Sequence, residues 1–436
     1  ETVIVEPGSS GVVVTENGSL TLRRTRVLRP SGNGLCANGR STLVAEQCEV
    51  TGAGEPAVVV EQQARATLTG LTVRDSENLD LYVLSTAEVS IVDSSMVGAG
   101  TRSVHVAGAA APVVRGCTLA GAAGTAVAVT GNSAPVFIGC EIRDSPVAIV
   151  VDGGSSPRFE QLVVRGDTQP AIQVGAGSRA RFVGLRLTAT NATAMTVTER
   201  GTVSIANSSI DSGHETALRL SDGATAEIDD LDVTSNASDA VLLLSGSVGT
   251  LASVRVRGGG VVSGDEATIV LADSEILDAP ADGLHIGPGG TVTAVRCRIR
   301  NPRHDGISVT PDARGEFTDC EVIGAGGDGF RLDTHEPVRL VGCSATSSGG
   351  DAVRRVAGSD QVSVENLVTD DHPTTGSSGP SVPPAKREPP VDKPPGANAL
   401  SEPLAELDSL IGLVGVQKEV TGLINLIKMA QAREMI

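Results

Sequence analysis

The sequence predicts an all-β fold, a single-stranded right-handed parallel β-helix of about sixteen coils, and three observations predict it. A small residue recurs at sixteen positions from Gly11 to Ala352, fourteen of them Gly or Ala, with Asp80 and Ser103 the two departures. The step is 23 residues, shortened only to 22 before Ala148 and to 20 before Gly260. The residue after each small one is apolar in all sixteen repeats, and bulky aliphatics such as Val14, Val60, Val83 and Val309 return two places later. That is the period-two alternation of a strand with one buried face. Finally, aromatic residues make up only 1% of 436, with no Trp and 52 Gly. Such a composition fills a long narrow core with stacked aliphatics, not a globular one with rings.

The coils take shape from further columns. Eleven places after the small residue stand Leu68, Ile91, Phe137, Phe159, Phe182 and Phe317; sixteen places after it stand Val27, Ile142, Leu187, Ile299 and Val322. Each repeat therefore holds two or three short strands, and sixteen coils stacked at ~4.8 Å make a rod roughly 75 Å long. Both shortened steps fall in the same part of the repeat, which marks it as a surface turn. Thr2 and Ile4 precede Thr25 and Val27 by 23 residues, so the chain opens inside a coil, and its start reads as truncated. The run "DGISV", "DGFRL", "DGLHI" followed by "FTDCEV" resembles the parallel β-helix repeat of the pectate-lyase-like superfamily over roughly residues 1–370.

Cys48, Cys117, Cys140, Cys297, Cys320 and Cys343 all lie fourteen places after the small residue. The same column holds Thr25, Leu71, Ser94, Leu162, Leu185, Ser208, Leu231, Val254, Ser274 and Asn366. A position that accepts Leu and Val cannot be a metal-ligand position, so these thiols are expected to be inert filling of the interior. On Cα spacing alone, a disulfide between neighbouring coils remains geometrically allowed.

A second column is acidic. Asp239, Asp282, Asp305, Asp328 and Asp351 each precede the small residue, the last four on consecutive coils. Stacked like charges raise one another's pKa unless hydrogen bonds or a cation compensate. Either each Asp closes an Asx-type turn onto backbone N–H groups, or Asp282, Asp305, Asp328 and Asp351 form an oxygen ladder for Ca²⁺ beside the outward column of His285, Arg331 and Arg354. Pectate lyases, which the repeat resembles, pair calcium-binding acids with a catalytic Arg, but no lyase or polygalacturonase signature aligns here residue by residue. The five Phe fall in inward columns and leave Tyr82 as the outward aromatic, so a stacking platform for sugar rings is not expected.

The net charge is −18, and all but one unit of it belongs to the repetitive part before His372. Nucleic acid is therefore excluded as a default partner, since nothing would neutralise its phosphates. No apolar stretch approaches a membrane span. Seven cysteines, an odd number in a long chain, suit a reducing compartment and a cytoplasmic location.

Organisation changes after the coils. We divide the chain into the β-helix over 1–371, a Pro/Gly/Ser-rich linker over 372–399 and a helical segment over 400–436. The linker, "HPTTGSSGPSVPPAKREPPVDKPPGAN", carries eight prolines and reads as an extended semi-rigid spacer. Ser401 is an N-cap candidate for a short helix from Glu402 to Leu410. A longer helix after Gly415 presents Val416, Val420, Leu423, Ile424 and Ile427 as an apolar stripe. The stretch "LAELDSLIGLVGVQKEVTGLINLIKMAQAREM" resembles the segment that opens the ATPase module of CbxX/CfxQ-type AAA+ proteins, the group that includes stage V sporulation protein K-like ATPases. The resemblance implies that Leu410, Ile411, Gly412 and Leu413 border an adenine pocket, and that ATP and Mg²⁺ bind in a longer parent protein. No GxxxxGK[ST] occurs, so no cofactor and no ATP hydrolysis is expected of this sequence itself, and its end also reads as truncated.

These features predict a non-catalytic recognition or scaffold arm of a AAA+ ATPase that binds a protein substrate or adaptor and is made multivalent by the ATPase ring. The alternatives are a polysaccharide lyase or hydrolase using the Asp282 to Asp351 ladder with Arg331 or Arg354, and a structural adhesin-like rod.

Overall fold

A computed structural model describes residues 2–166, 169–189, 191–356 and 359–370. Thirteen of the sixteen coils have three strands and three have two, so both expected strand counts occur. The first ladder runs from Val12–Val14 through Leu35–Ala37 and Val58–Val60 to Val353–Arg355, sixteen parallel strands in one sheet. The second and third ladders form a 30-stranded sheet. They merge where three ten-residue strands, Thr202–Asp211, Thr225–Thr234 and Val248–Arg257, run unbroken through the corner between them. This is the right-handed β-helix of about sixteen turns that the 23-residue period predicts. No helix among the described residues is long and apolar enough to cross a membrane.

The register confirms the period and places its exceptions. Val12 pairs with Leu35 and Leu35 with Val58, while Thr2 pairs with Thr25 and Ile4 with Val27. Thr125 pairs with Val147 and Val241 with Val261, which absorbs the two short steps. The first deletion falls between the third strand of one coil and the first strand of the next, the surface turn expected, and the second falls there and at a register shift between Asp239 and Val241 at the start of a first-ladder strand. One column needs correction. Ser344 pairs with Val368, so the last coil holds one residue more, and Leu367 occupies the cysteine-column position that the uniform step assigned to Asn366.

Asn366 belongs instead to a column that the residue types conceal. Between the second and third ladders every coil turns through one residue with positive φ: Arg24, Gln47, Gly70, Asp93, Gly116, Gly139, Gln161, Gly184, Asn207, Asp230, Ser253, Asp273, Arg296, Asp319, Gly342 and Asn366. A single left-handed residue bends the strand sharply and lets the ladders on either side continue. Gly takes that conformation without strain and Asn or Asp with little, whereas Arg and Gln depend on the stacked coils to hold them there.

The core explains the small column. A Cβ added at Gly34 would lie 2.3 Å from Val50 Cγ1, and one at Gly306 would lie 2.3 Å from Val322 Cγ1 and 2.5 Å from the Gly329 carbonyl oxygen. Gly11, Gly34, Gly283 and Gly306 thus sit directly across the narrow interior from the aliphatic sixteen places later. All five phenylalanines are fully buried. Phe137, Phe159 and Phe182 stack on consecutive coils with ring centroids 5.2 and 4.9 Å apart, and Phe317 meets Phe330 edge-on at 6.2 Å. Tyr82 stays on the outer face, stacked on His105 at 5.0 Å.

Candidate functional site

The candidate site lies on the outer face of the first ladder, where two columns run side by side. One is the aspartate column. The other passes in register from His285 through Ser308 to Arg331 and Arg354. Strand pairing sets the second column, while the aspartates lie two residues before each strand, where Gly283, Gly306 and Gly329 donate to the main-chain carbonyls of Asp305, Asp328 and Asp351.

Three of the four stacked carboxylates have two jobs. Asp282 Oδ1 accepts the Asp305 N–H at 3.1 Å, Asp305 Oδ1 accepts the Asp328 N–H at 2.7 Å, and Asp328 Oδ1 accepts the Asp351 N–H at 2.8 Å. The backbone turn therefore uses one oxygen of each of the first three aspartates, the Asx-type role foreseen as one of two options. Their second oxygens face nitrogens of the neighbouring column: Asp282 Oδ2 meets His285 Nδ1 at 3.1 Å, Asp305 Oδ2 meets Arg331 Nη1 at 3.6 Å, and Asp328 Oδ2 meets Arg354 Nη1 at 3.7 Å. Among the described residues, no group of three or more His, Cys, Asp or Glu could hold a metal ion. Asp239 stands apart from the ladder and accepts from the Ser238 hydroxyl at 2.7 Å.

The electrostatics follow from these partners. Burial pushes the Asp282 carboxyl up, but the hydrogen bonds from His285 and the Asp305 N–H outweigh it and hold the group below the usual carboxylate range. Arg331 is bound through Nε to Asp333 Oδ2 at 2.7 Å, and that bond, with the charges of Asp333 and Asp305, raises its pKa further. Asp282, His285, Asp305, Ser308 and Arg331 line one open cleft of about 470 Å³, together with Arg303, His304 and Asp333. The sequence reading missed Arg303, His304, Ser308 and Asp333. The signal available for Ser308 was its place in "DGISV", one repeat after His285 and one before Arg331. Leu410, Ile411, Gly412 and Leu413, the linker and the helical segment lie outside the described residues.

The six column cysteines are buried and free. Five of the thiols donate to main-chain carbonyls of the coil before, as Cys297 does to Leu271, Cys320 to Ala294 and Cys343 to Phe317, each at 3.4 Å, while Cys48 donates to Glu46 in its own coil. Ser fills the same position for the same reason: Ser94 Oγ accepts the Leu71 N–H at 3.1 Å and donates to the Val92 carbonyl at 2.9 Å. Cys320, flanked by Cys297 and Cys343, is pushed up by those neighbours and then by burial. Cys36 is the half-buried exception, its thiol raised by burial and by Glu61. A thiol reagent added to the native protein is therefore expected to modify Cys36 alone, with the six column thiols reacting only in denaturant. Rapid modification of any column cysteine in the native state would show that the stack is open.

No curated protein is significantly similar in sequence to this chain. Among solved structures, the catalytic unit of the GH87 alpha-1,3-glucanase from Streptomyces thermodiastaticus strain HF3-3 shares 12% identity over 84% of this chain with a TM-score of 0.33, and the match spans 64% of that chain. Tailspike protein 3 of bacteriophage CBA120 shares 12% identity over 88% of this chain and 60% of its own, with a TM-score of 0.29. The PL6 family alginate lyase AlyGC shares 6% identity over 84% of this chain and 97% of its own, with a TM-score of 0.27. Likenesses this distant carry no functional argument. The family described as "Right handed beta helix region" matches residues 10–161, 81–227 and 196–369, which together span most of the chain, and the protein belongs to that family.

Proposed function

We propose that this chain is a polysaccharide-directed rod that engages a sugar polymer along the first-ladder face between Asp282 and Arg354. One observation carries the reading: carboxylates, imidazoles and guanidiniums converge in the cleft of Asp282, His285, Arg303, His304, Asp305 and Arg331. Forked carboxylate and guanidinium groups match the paired hydroxyls and carboxylates of a sugar chain, and the coils repeat them every ~4.8 Å along the rod. With the phenylalanines buried, this face recognises its ligand through polar groups and not through ring stacking. We assign any cleavage there to hydrolysis, with Arg331 held by Asp333 and Asp305 as a fixed positive charge and not as a base.

The test is binding to a panel of neutral and uronate polysaccharides by affinity electrophoresis and calorimetry, with and without Ca²⁺. At least one polymer is expected to bind, and Arg331→Ala is expected to weaken it about tenfold, the size of one charge-assisted hydrogen bond. If no polymer retards the protein or gives a heat of binding, the reading fails. Unsaturated products would replace hydrolysis with elimination.

A second reading is favoured by a different observation, the stretch from Leu404 to Met435 with its turn at Leu410, Ile411, Gly412 and Leu413. On it the rod is the recognition or scaffold arm of a AAA+ ATPase, and ATP and Mg²⁺ bind in a motor module beyond this sequence. A Walker motif encoded downstream of Ile436, together with capture of a protein by the rod and no affinity for the polysaccharide panel, would establish it over the first.

A further inference from the structure

Three consecutive coils place His285, Ser308 and Arg331 in register on one outer column. The Asp282 carboxylate lies 3.1 Å from His285 Nδ1, an arrangement that puts the ring proton on Nδ1 and leaves Nε2 as the basic nitrogen. Ser308, the strand partner of His285, lines the same cleft. We propose that Asp282, His285 and Ser308 form a nucleophilic triad, and that the cleft hydrolyses acyl esters carried on a carbohydrate. The carbohydrate part of this proposal rests on the polysaccharide reading above, whereas the serine chemistry does not.

The order along the rod suits the roles. Neighbouring strands lie ~4.8 Å apart, so an imidazole and a hydroxyl in register come within hydrogen-bond reach by side-chain rotation, and such pairs are commonly loose before substrate binds. Ser308 Oγ attacks the ester carbonyl carbon while its proton passes to His285 Nε2. The tetrahedral intermediate then breaks its bond to the leaving oxygen, which takes the proton back from the imidazolium and departs as the carbohydrate alcohol. Water attacks the acyl-serine, loses a proton to His285, and releases the carboxylic acid as Ser308 Oγ recovers its proton. Arg331, one coil beyond the nucleophile and anchored on Asp333 at 2.7 Å, supplies positive charge on the side opposite the base. Asp282 acts through His285 and is a positioning residue.

Packing does not require a serine here. The same column carries Ala128, Thr196 and Val262 on other coils. Ser308→Ala therefore preserves the fold and isolates the chemistry.

The full chain is treated with a fluorophosphonate probe, and hydrolysis of 4-nitrophenyl acetate and release of acetate from O-acetylated xylan are followed. The probe is expected to label Ser308, as located by peptide mapping. Ser308→Ala and His285→Ala should each lower kcat/KM for the aryl acetate by about 10³-fold or more. Asp282→Asn should lower kcat by about tenfold or more with KM within about twofold, a split that general loosening of the coil would not give. An unlabelled Ser308, or a Ser308→Ala rate equal to wild type, overturns the triad. Polymer binding without turnover of either ester leaves the polysaccharide reading standing and removes the triad. Turnover of the aryl acetate with acetylated xylan untouched and no polymer bound keeps the triad and removes the carbohydrate.

Discussion

Phe159→Ala is expected to lower the unfolding free energy by about 3–5 kcal/mol, the range for emptying a ring-sized site in a packed core. Phe159 is fully buried between Phe137 and Phe182, with centroids 5.2 and 4.9 Å away and planes inclined by 20° and 8°. Its removal loses the transfer energy of the side chain and leaves a cavity that rigid ladders on both sides cannot close. It also ends two offset stacks, each worth about 0.5–1.5 kcal/mol beyond burial. Phe159→Leu is the control. The column that holds Phe159 holds Ile91 and Leu251 on other coils, so Leu belongs to its natural repertoire and should recover most of the loss. Urea unfolding followed by far-ultraviolet circular dichroism measures both variants. A Phe159→Ala loss below about 1 kcal/mol would show that the rings do not form a continuous stack.

That column shows why the fold was legible. Leu68, Ile91 and Phe137 share a property that sequence displays directly, apolar bulk at a fixed period, and a fixed period in a parallel coil is a fixed direction in space. The buried thiols were legible for the same reason, since Cys, Ser, Leu and Val alternate in one column. The corner column was not. Arg24, Gln47, Gly70 and Asp93 have nothing in common except a left-handed backbone, and composition does not report φ. The site was half visible. Asp282, His285, Arg331 and Arg354 stood out by charge, and periodicity put them on one face. It could not say whether the carboxylate oxygens meet a cation or an N–H, because both arrangements have the same period. The 2.7–3.1 Å contacts from one aspartate to the next main-chain N–H engage one oxygen of each of the first three and leave the second oxygen to the neighbouring column. Ser308 was overlooked because an uncharged residue breaks a charged column, yet it is in register with both neighbours.

The departure at Asp80 carries the second large effect. It stands in the small-residue column, completely buried, where fourteen of sixteen coils have Gly or Ala. Ser76 Oγ donates to its Oδ1 at 2.8 Å, while Oδ2 and the Ser103 hydroxyl one coil on have no hydrogen-bond partner. Burial pushes the carboxyl up to about 6, against the hydrogen bond from Ser76 and with some help from Asp75. The folded state thus binds the proton more tightly than the unfolded chain does. The stabilisation is fully present below the unfolded pKa of about 3.9, is lost as pH rises through about 6, and amounts to roughly 3 kcal/mol across that window. Asp80→Asn keeps the acceptor for Ser76, adds a donor for Ser103 and never ionises. Above pH 7 the variant is expected to be the more stable by about 2–3 kcal/mol, and at pH 4 the difference should nearly vanish. Because every other acidic group titrates alike in both proteins, the difference between their stability curves isolates this one carboxyl. Parallel curves from pH 4 to 8 would mean that Asp80 reaches water. A gap that opened toward low pH would reverse the sign of the linkage and with it the burial from which it derives.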